Sequence, residues 1–458
     1  MRTGGNLLRA SRSLSFVALF SIALSIGLFG ARASQAASWK TKFTNTLNLQ
    51  PSYYFEDIGK GTSQSSLAIR DEAEWTARTQ RDVKFRFAPW FYSDPVAASA
   101  TEKAMFDINE ANIDWRPKNL LRDQTAEIAV QIGLNRIAWG VTDFYNPLDV
   151  VSARRYVDPL NSEKRAVPSI DLSWESDAWR VEGIYIPLQQ ESIMPGENSR
   201  WLPREVFMQS QFNEFTFQLA PEFRYSYAGA QVVDDALHNN YGLRLERRGS
   251  GLDLTAVFFQ GAPTAPAIAT PVVDAHTDPQ DASRILAYHI LLQPTYYLRR
   301  TVGLGAVVTM ETMIFRMAIA DSARVTTSAA LPGWSQSAVV GMEKNLAIAT
   351  STLTLLLQAT YVESEEQAGN TVASLDRIFD RSWLLGLRLA TSGAWTYNAA
   401  VLFDSLKQGS YGLLKAEYKV TDGMATSLQG DWFDGAAGTP LGTYRRNRRL
   451  TLGASFFF

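Results

Sequence analysis

Hydrophobic and polar residues alternate with a period of two along most of this 458-residue chain. Between Leu353 and Tyr361, for example, every second residue is apolar or aromatic. Successive side chains of a β-strand point to opposite faces, so this pattern predicts strands with one apolar and one polar face. Comparable segments lie near 42–54, 67–78, 83–91, 106–115, 128–134, 215–219, 223–227, 241–258, 286–292, 383–403 and 424–432. The pattern therefore predicts an all-β chain.

The connections between these segments alternate between short and long. Short connections include 175–178, 248–251 and 421–423, whereas long ones run near 55–66, 93–103, 139–167, 188–206, 261–283, 317–334, 362–379 and 435–446. Transmembrane barrels show this asymmetry, with tight turns at one end and long loops at the other. We therefore expect a closed antiparallel transmembrane β-barrel of roughly 18–20 strands. At Ala220-Pro221 two interpretations stay open, a tight turn or a kink within one strand.

The last nine residues form an alternating segment that finishes on an aromatic residue. Its apolar positions are Leu450, Leu452, Ala454, Phe456 and Phe458. The free edge of such a strand would invite aggregation in a soluble protein, whereas the closing strand of a barrel pairs with the first strand. The segment resembles the C-terminal signal of bacterial outer-membrane β-barrel proteins. That resemblance implies recognition by the barrel-assembly machinery and contact with outer-membrane lipids.

The N-terminal region has the layout of a secretory signal peptide. Basic residues at positions 2, 9 and 12 precede an apolar stretch at 14–29, and small residues follow at 31–36. We expect a signal peptide over 1–36 and an outer-membrane barrel over 40–458; the alternative is an uncleaved membrane anchor. Past Trp39 no window is apolar and long enough for a membrane-spanning helix, so a membrane protein of this sequence must span as a barrel.

Composition removes several classes of chemistry. The chain has no cysteine, which excludes disulfides, thiolate metal sites and a lipid-anchored start. Its net charge of −2 gives no reason to expect a nucleic-acid partner. The three histidines lack metal-ligand spacing, so we expect no metal, no cofactor and no enzymatic activity. His238, close to Asp234 and Asp235, is the best candidate for hydrolytic chemistry, with a solvated loop histidine as the more ordinary interpretation.

The segment 139–167 is the longest predicted loop, and it mixes acidic with basic residues. The apolar parity of the preceding strand switches between Leu134 and Ile137, which suggests a bulge that turns Arg136 inwards. We therefore predict a charged loop folded into the barrel as a pore constriction that selects small solutes. The candidate residues are Arg136, Asp143, Asp149, Arg154, Arg155 and Arg165. The alternative is a solvent-facing loop with satisfied surface charges.

Charged residues also alternate with apolar ones along the predicted strands near 67–115. They are costly towards lipid, so we expect them to line a hydrated lumen. These predicted wall residues are Arg70, Glu72, Glu74, Lys84, Arg86, Glu110 and Asp114. The alternative is a set of ion pairs that only stiffens the barrel. Four further arginines, Arg445, Arg446, Arg448 and Arg449, are expected either to contact lipopolysaccharide or to form a solvated rim.

One short run also resembles a known group of proteins. Arg136-Ile137-Ala138-Trp139-Gly140, Asp143 and Asn146-Pro147-Leu148-Asp149 are similar to a motif in large, porin-like outer-membrane barrels of Gram-negative bacteria, close to alginate-export-type barrels. The resemblance implies a channel or exporter and fixes neither a solute nor an oligomeric state. We expect a channel for small polar or charged solutes. The alternatives are an export conduit with periplasmic and inner-membrane partners, or a structural or adhesive barrel without transport.

Overall fold

The computed structural model describes residues 39–59, 62–79, 82–117, 126–202, 208–209, 216–269, 272–325, 331–365, 379–405, 409–436 and 439–458. The predicted signal peptide, 1–36, lies outside these residues. Among the described residues no helix is long and apolar enough to cross a membrane.

Eighteen antiparallel strands form one closed sheet, in which each strand pairs with the next along the chain. They are β1 (Lys40–Tyr54), β2 (Ser65–Arg78), β3 (Val83–Ser93), β4 (Met105–Trp115), β5 (Glu127–Asn135), β6 (Val167–Glu175), β7 (Trp179–Leu188), β8 (His238–Arg247), β9 (Leu252–Gly261), β10 (Arg299–Thr309), β11 (Met313–Arg324), β12 (Trp334–Ile348), β13 (Ser351–Ser364), β14 (Ser382–Ala390), β15 (Trp395–Asp404), β16 (Gly409–Thr421), β17 (Met424–Asp434) and β18 (Arg449–Phe457). The predicted barrel fold and strand number are confirmed.

The last strand closes the barrel against the first. Leu47 lies opposite Phe456 and Leu49 opposite Ala454, and the pairing continues to Tyr54. The hydroxyl groups of Ser52 and Thr451 hydrogen-bond across this seam at 2.8 Å. Every edge strand of the sheet is therefore paired, which removes the exposed edge that an open sheet would present.

The outward face of the barrel is apolar. Leu304 on β10 and Leu385 on β14 are each about half exposed, while their neighbours Gly303 and Leu384 are buried against the interior. The same alternation leaves leucine, valine, isoleucine and aromatic side chains exposed on strands around the barrel. The apolar positions of the sequence pattern thus point away from the lumen on these strands.

The connections divide between the two ends of the barrel. Nine form the loop end: 55–64, 94–104, 136–166, 189–237, 262–298, 325–333, 365–381, 405–408 and 435–448. The other eight form the turn end; seven of them have two to four residues, and the eighth, 116–126, has eleven. A four-residue helix, α1 (Ala100–Lys103), and 3-10 turns at Pro159–Asn161 and Gly442–Asn447 lie in the loops. Two predicted details are corrected, because β11 continues to Arg324 through the loop expected from 317, and the connection 405–408 was not predicted.

Two predicted barrel segments belong instead to a second sheet. The connections 189–237 and 262–298 contain six further strands, Met208–Gln209, Thr216–Tyr227, Gln231–Val232, Ala267–Ala269, Val272–Asp278 and Asp281–Tyr296, which pair together at the loop end. We call this the outer sheet. The segments predicted as strands at 215–219, 223–227 and 286–292 fall largely in this sheet. One face of it packs around Tyr225, Ile290 and Leu292, so the sequence period cannot distinguish this sheet from the barrel. Residues 216–227 form one strand with a register shift between Leu219 and Arg224, as the kink interpretation of Ala220-Pro221 requires.

Candidate functional site

Residues 136–166, the inward loop, leave the wall after β5 and fold against the inside of the barrel. Trp139, Leu148 and Val151 are almost completely buried in one apolar cluster with residues of the inner wall. The wall residues of this cluster are Ile184 and Ile186 on β7, Val257 and Phe259 on β9, Ala318 and Ala320 on β11, and Val339 on β12. Burial of apolar side chains therefore holds the inward loop against the wall, although the loop contains many charged residues.

Glycines in the barrel wall make room for this loop. A Cβ atom placed on Gly242 of β8 would lie 2.5 Å from the Trp139 ring. One placed on Gly303 of β10 would overlap the Leu148 side chain, and one on Gly305 would lie 2.9 Å from it. Any larger side chain at these positions would displace the loop, so the wall is shaped to receive it.

Polar contacts fix the orientation of the apolar anchor. The indole N–H of Trp139 donates a 2.7 Å hydrogen bond to Glu182 on β7, whose carboxylate also lies 2.9 Å from Arg180. Further along the loop, Asp143 lies 3.3 Å from Arg316 on β11. Burial raises the pKa of Asp143, and the nearby Arg316 opposes that rise. The loop is thus tied to β7 and β11 as well as packed between them.

A two-stranded ribbon within the loop separates two sets of charges. Arg154 pairs with Lys164 and Arg155 with Glu163 in its register. Neighbouring residues of a strand point to opposite faces. Arg154 and Lys164 therefore share one face, where both contact Asp149 at 2.5 and 2.7 Å.

The other face of the ribbon carries Arg155, which is almost completely buried. Its guanidinium group contacts Asp107 at 2.9 Å and Asn109 at 2.6 Å on β4, and Glu163 at 3.2 Å. It also lies 4.1 Å above the ring of Trp90 on β3. Arg165 binds the same Asp107 carboxylate at 2.8 Å. Arg155 is therefore a structural tie between the ribbon and the wall.

The predicted wall residues lie on β2, β3 and β4 and mostly contact one another. Arg86 lies 3.0 Å from Glu74 and also hydrogen-bonds Glu110, whereas Lys84 is opposite Asp114 in the register. Arg70 crosses to Glu163 of the ribbon at 2.6 Å, and Glu72 lies 4.0 Å from Arg70. The wall and the inward loop thus share one network of ion pairs.

Arg136 is close to this network, but the expected bulge is absent. Strand β5 keeps an unbroken register with β4 and β6 until Asn135. The parity change after Leu134 arises because the chain leaves the wall there. Arg136 then lies 3.8 Å from Glu110 with a partly exposed side chain. The proposed constriction role of these residues stays a prediction.

A second element lies at the mouth, within the long loop predicted at 188–206. It comprises residues 189–202, which we call the crossing segment. Arg200 donates hydrogen bonds to the carbonyl groups of Glu56, Ser63 and Arg446, in two different loops. Its guanidinium group lies 4.1 Å above the ring of Tyr54. Trp201 packs in an apolar cluster with wall and loop residues that include Phe433 and Tyr444. The segment has no two-residue period, in agreement with the loop predicted there, but its contacts across the mouth were not predicted.

One correction concerns the arginine cluster expected at the rim. Arg449 is largely buried between Asp158 of the inward loop and Asp431 of β17, each 2.8 Å away. It is therefore an interior residue. Arg448 donates to the carbonyl group of Phe433 at 3.0 Å.

The inward loop contributes side chains to two cavities. The charged cavity, about 240 Å³, lies between the loop and strands β1–β3 and β18; Arg70, Trp90, Arg155, Glu163 and Arg449 are among its lining residues. The larger cavity, about 710 Å³, is lined by the opposite face of the ribbon and by β11–β13. The ribbon therefore forms a partition, with Arg155 facing one cavity and Arg154 the other.

Helix α1 connects the wall to the crossing segment. Its Glu102 carboxyl group accepts hydrogen bonds from the Ser199 hydroxyl and the Gly196 backbone N–H. Burial, reinforced by the nearby charge of Asp94, raises the pKa of Glu102 to about 7. Close approach at this contact requires a glycine, because a Cβ atom at Gly196 would overlap the hydroxyl of Ser99.

Within the described residues no group of three histidine, cysteine or acidic side chains is arranged to hold a metal ion. His238, the candidate for hydrolytic chemistry, begins β8 and is exposed, and its backbone N–H donates to the carbonyl group of Asp235. The absence of enzymatic activity stays a prediction.

No protein-family model and no curated protein matches the sequence. Among solved structures, a loop-deletion mutant of OmpT, an outer membrane protein of Vibrio cholerae, is 9% identical; the match covers 92% of this chain and 99% of that chain, with a TM-score of 0.43. A mutant of Rh. blastica porin is 11% identical over 92% of this chain and 100% of that chain, with a TM-score of 0.39. These similarities assign neither a solute nor a residue role. The resemblance to alginate-export-type barrels stays a prediction.

Proposed function

We propose that this protein is an outer-membrane channel for small polar or charged solutes. The observation that carries the proposal is the inward loop, which is docked on glycines of the wall and divides the interior into two cavities. A closed barrel of 18 strands is wide enough to hold water and a folded loop. A loop held inside such a barrel narrows it at a defined depth.

The outward face supports a membrane location. Exposed apolar residues such as Leu304, Val340 and Leu452 would cost free energy in water, and lipid would cover them. The interior supports passage of polar solutes, because the ribbon presents fixed charges to both cavities. Mixed charges at a constriction discriminate solutes by size, charge and orientation.

Cysteine modification on one strand tests the conduction path, and the chain has no native cysteine to interfere. Ser337 and Val340 both lie on β12; Ser337 lines the larger cavity, whereas Val340 is exposed on the outer face. We expect purified Ser337→Cys protein in planar bilayers to lose current when a cationic methanethiosulfonate reagent reacts, and Val340→Cys protein to be unaffected. The absence of ion current in the unmodified protein, or an equal response of both variants, would contradict the proposal.

A sealed barrel with a structural role is the second candidate, and the crossing segment favours it. Arg200 ties this segment to three carbonyl groups across the mouth, and the outer sheet is joined to it. Such a barrel would conduct no ions until these contacts were removed. Current that appears only in an Arg200→Ala variant, and not in the unmodified protein, would support the sealed barrel.

A further inference from the structure

The charged cavity contains polar atoms that the protein itself leaves without partners. One carboxylate oxygen of Glu102 is buried and has no hydrogen-bond partner. The indole N–H of Trp90 and the Nε–H of Arg70 are likewise buried without a hydrogen-bond partner; the nearest carboxylate to the Arg70 Nε is that of Glu72, 4.0 Å away. Only 2% of the Trp90 surface is exposed, and all three residues line the cavity. Unpaired buried polar groups are costly, so they point to a ligand that supplies the missing partners.

The unpaired groups differ in kind between the two ends of the cavity. Glu102 and Asp94 lie at the loop end, and the hydrogen bonds to Asp94 come from neutral donors, the Ser66 hydroxyl and three backbone N–H groups. The unpaired donors of Trp90 and Arg70 lie deeper in the barrel, on β3 and β2. The acidic end requires a hydrogen-bond donor, preferably a cation, and the deeper end requires an acceptor.

The remaining charges of the cavity favour a ligand without net charge. Four arginines, Arg70, Arg155, Arg200 and Arg449, face four acidic residues, Asp94, Glu102, Asp158 and Glu163, in the lining. Arg155 and Arg449 are each held by two carboxylates. The volume of about 240 Å³ corresponds to roughly eight water molecules, so the ligand is small.

We propose that the charged cavity binds a small zwitterion, with its ammonium group at Glu102 and Asp94 and its carboxylate at Trp90 and Arg70. This inference rests on the proposed function, because it names the class of solute that the channel would select. The ammonium group supplies donors to the unpaired Glu102 oxygen, and the carboxylate accepts from the indole and guanidinium N–H groups. Both ends of the ligand then have hydrogen-bond partners, and a ligand without net charge leaves the balance of acidic and basic residues in the cavity unchanged.

Four-carbon compounds that differ only in their end groups provide the test. Binding to the full-length mature barrel in detergent micelles is measured by calorimetry for 4-aminobutyrate, butylamine, butyrate and 1,4-butanediol. We expect 4-aminobutyrate to bind at least about tenfold more tightly than each of the others, as two charge-assisted hydrogen-bonding ends require. Equal affinity for 4-aminobutyrate and 1,4-butanediol would overturn the inference.

Two variants separate the two ends of the ligand. Glu102→Gln should weaken 4-aminobutyrate and butylamine about tenfold and leave butyrate unchanged, whereas Trp90→Phe should weaken 4-aminobutyrate and butyrate and leave butylamine unchanged. Glu365→Gln, in the lining of the larger cavity, is the matched control and should change nothing. If Trp90→Phe does not fold, Glu102→Gln alone decides, and an equal effect on all four compounds would overturn the inference.

The binding experiment does not require ion flow. If 4-aminobutyrate binds as expected but the protein passes no current, the channel proposal fails and the binding site remains. If the protein conducts but does not prefer the zwitterion, the binding site fails and the channel proposal remains.

Discussion

Removal of the Trp139 side chain should release the inward loop without unfolding the barrel. Trp139 is 1% exposed, packs against Gly242 and Phe259, and donates to Glu182. Truncation of a buried tryptophan to alanine costs about 3–5 kcal/mol. Here that cost falls on loop docking, because Trp139 belongs to the loop and the barrel strands keep all of their backbone hydrogen bonds.

The free energy of loop docking can be measured from the rate of limited proteolysis. Lys164 and Arg165 lie in the docked loop and are largely shielded, so trypsin cleaves there only when the loop opens. When opening is fast, the cleavage rate follows the open population, and about 3–5 kcal/mol then predicts an increase of roughly 10²- to 5 × 10³-fold in Trp139→Ala. Trp139→Phe, which keeps a ring and loses the indole N–H, should fall between this variant and the unmodified protein.

The controls decide whether the effect belongs to the loop. Trp383→Ala removes an outward-facing tryptophan that is about half exposed and should leave cleavage at residues 164 and 165 unchanged. Folded barrel is counted by its altered mobility in unheated gels, so general unfolding is recognised separately. An increase below tenfold in folded Trp139→Ala protein would refute the conclusion that apolar packing holds the loop. Under the channel proposal the released loop should also raise single-channel conductance.

Three further outcomes follow from the structure. The pKa of Glu102 is raised to about 7, so docking of the crossing segment is most stable at or below about pH 4.5 and weakens by roughly 2–3 kcal/mol as pH rises through 7. Hydrogen exchange at 196–202, corrected for intrinsic rates, should therefore become faster with pH in the unmodified protein and not in Glu102→Gln. Gly303→Ala should undock the inward loop at a cost of about 1–3 kcal/mol, measured by the same proteolysis, whereas Gly412→Ala, whose added Cβ meets no atom within 4 Å, should not. Arg155→Met should lower the free energy of unfolding by about 3–5 kcal/mol and Arg154→Met by less than about 1 kcal/mol; equal losses in denaturant titrations would contradict the assigned burial.

The sequence was sufficient for the barrel because its strands must expose apolar residues on one face only. A period of two at Leu353–Tyr361 or Leu450–Phe458 predicts both that a strand forms and which of its faces lies on the outer surface of the barrel. The same period failed at 215–219, 223–227 and 286–292, where it predicted strands but placed them in the wrong sheet. Period alone carries no information about which sheet buries the apolar face.

The position of the inward loop depended on features that no local pattern contains. The sequence drew attention to 139–167 through its charges, yet the anchor is the apolar pair Trp139 and Leu148. The glycines that make room for these two side chains, Gly242 and Gly303, lie about 100 and 155 residues further along the sequence, on β8 and β10. Each glycine by itself is an ordinary strand glycine, and only the closed sheet brings both beneath the loop. The contacts of the crossing segment could not be predicted for the same reason, since Arg200 is held by carbonyl groups of distant loops.

The ribbon at 154–164 changes how a constriction by this loop would work. Arg154 and Arg155 are consecutive, so in a solvent-facing loop they would form one basic patch. As neighbours in a strand they face different cavities, and their partners differ: Asp149 lies within the loop, whereas Asp107 belongs to the wall. Substitution of Arg154 alters the charge seen by a solute in the larger cavity, whereas substitution of Arg155 removes the tie that positions the partition. A combined substitution would mix these effects, and a change in ion selectivity could then not be assigned to charge. Whether the loop selects solutes, as the channel proposal requires, is therefore best tested at Arg154 and Lys164 alone, with the Arg155 contacts intact.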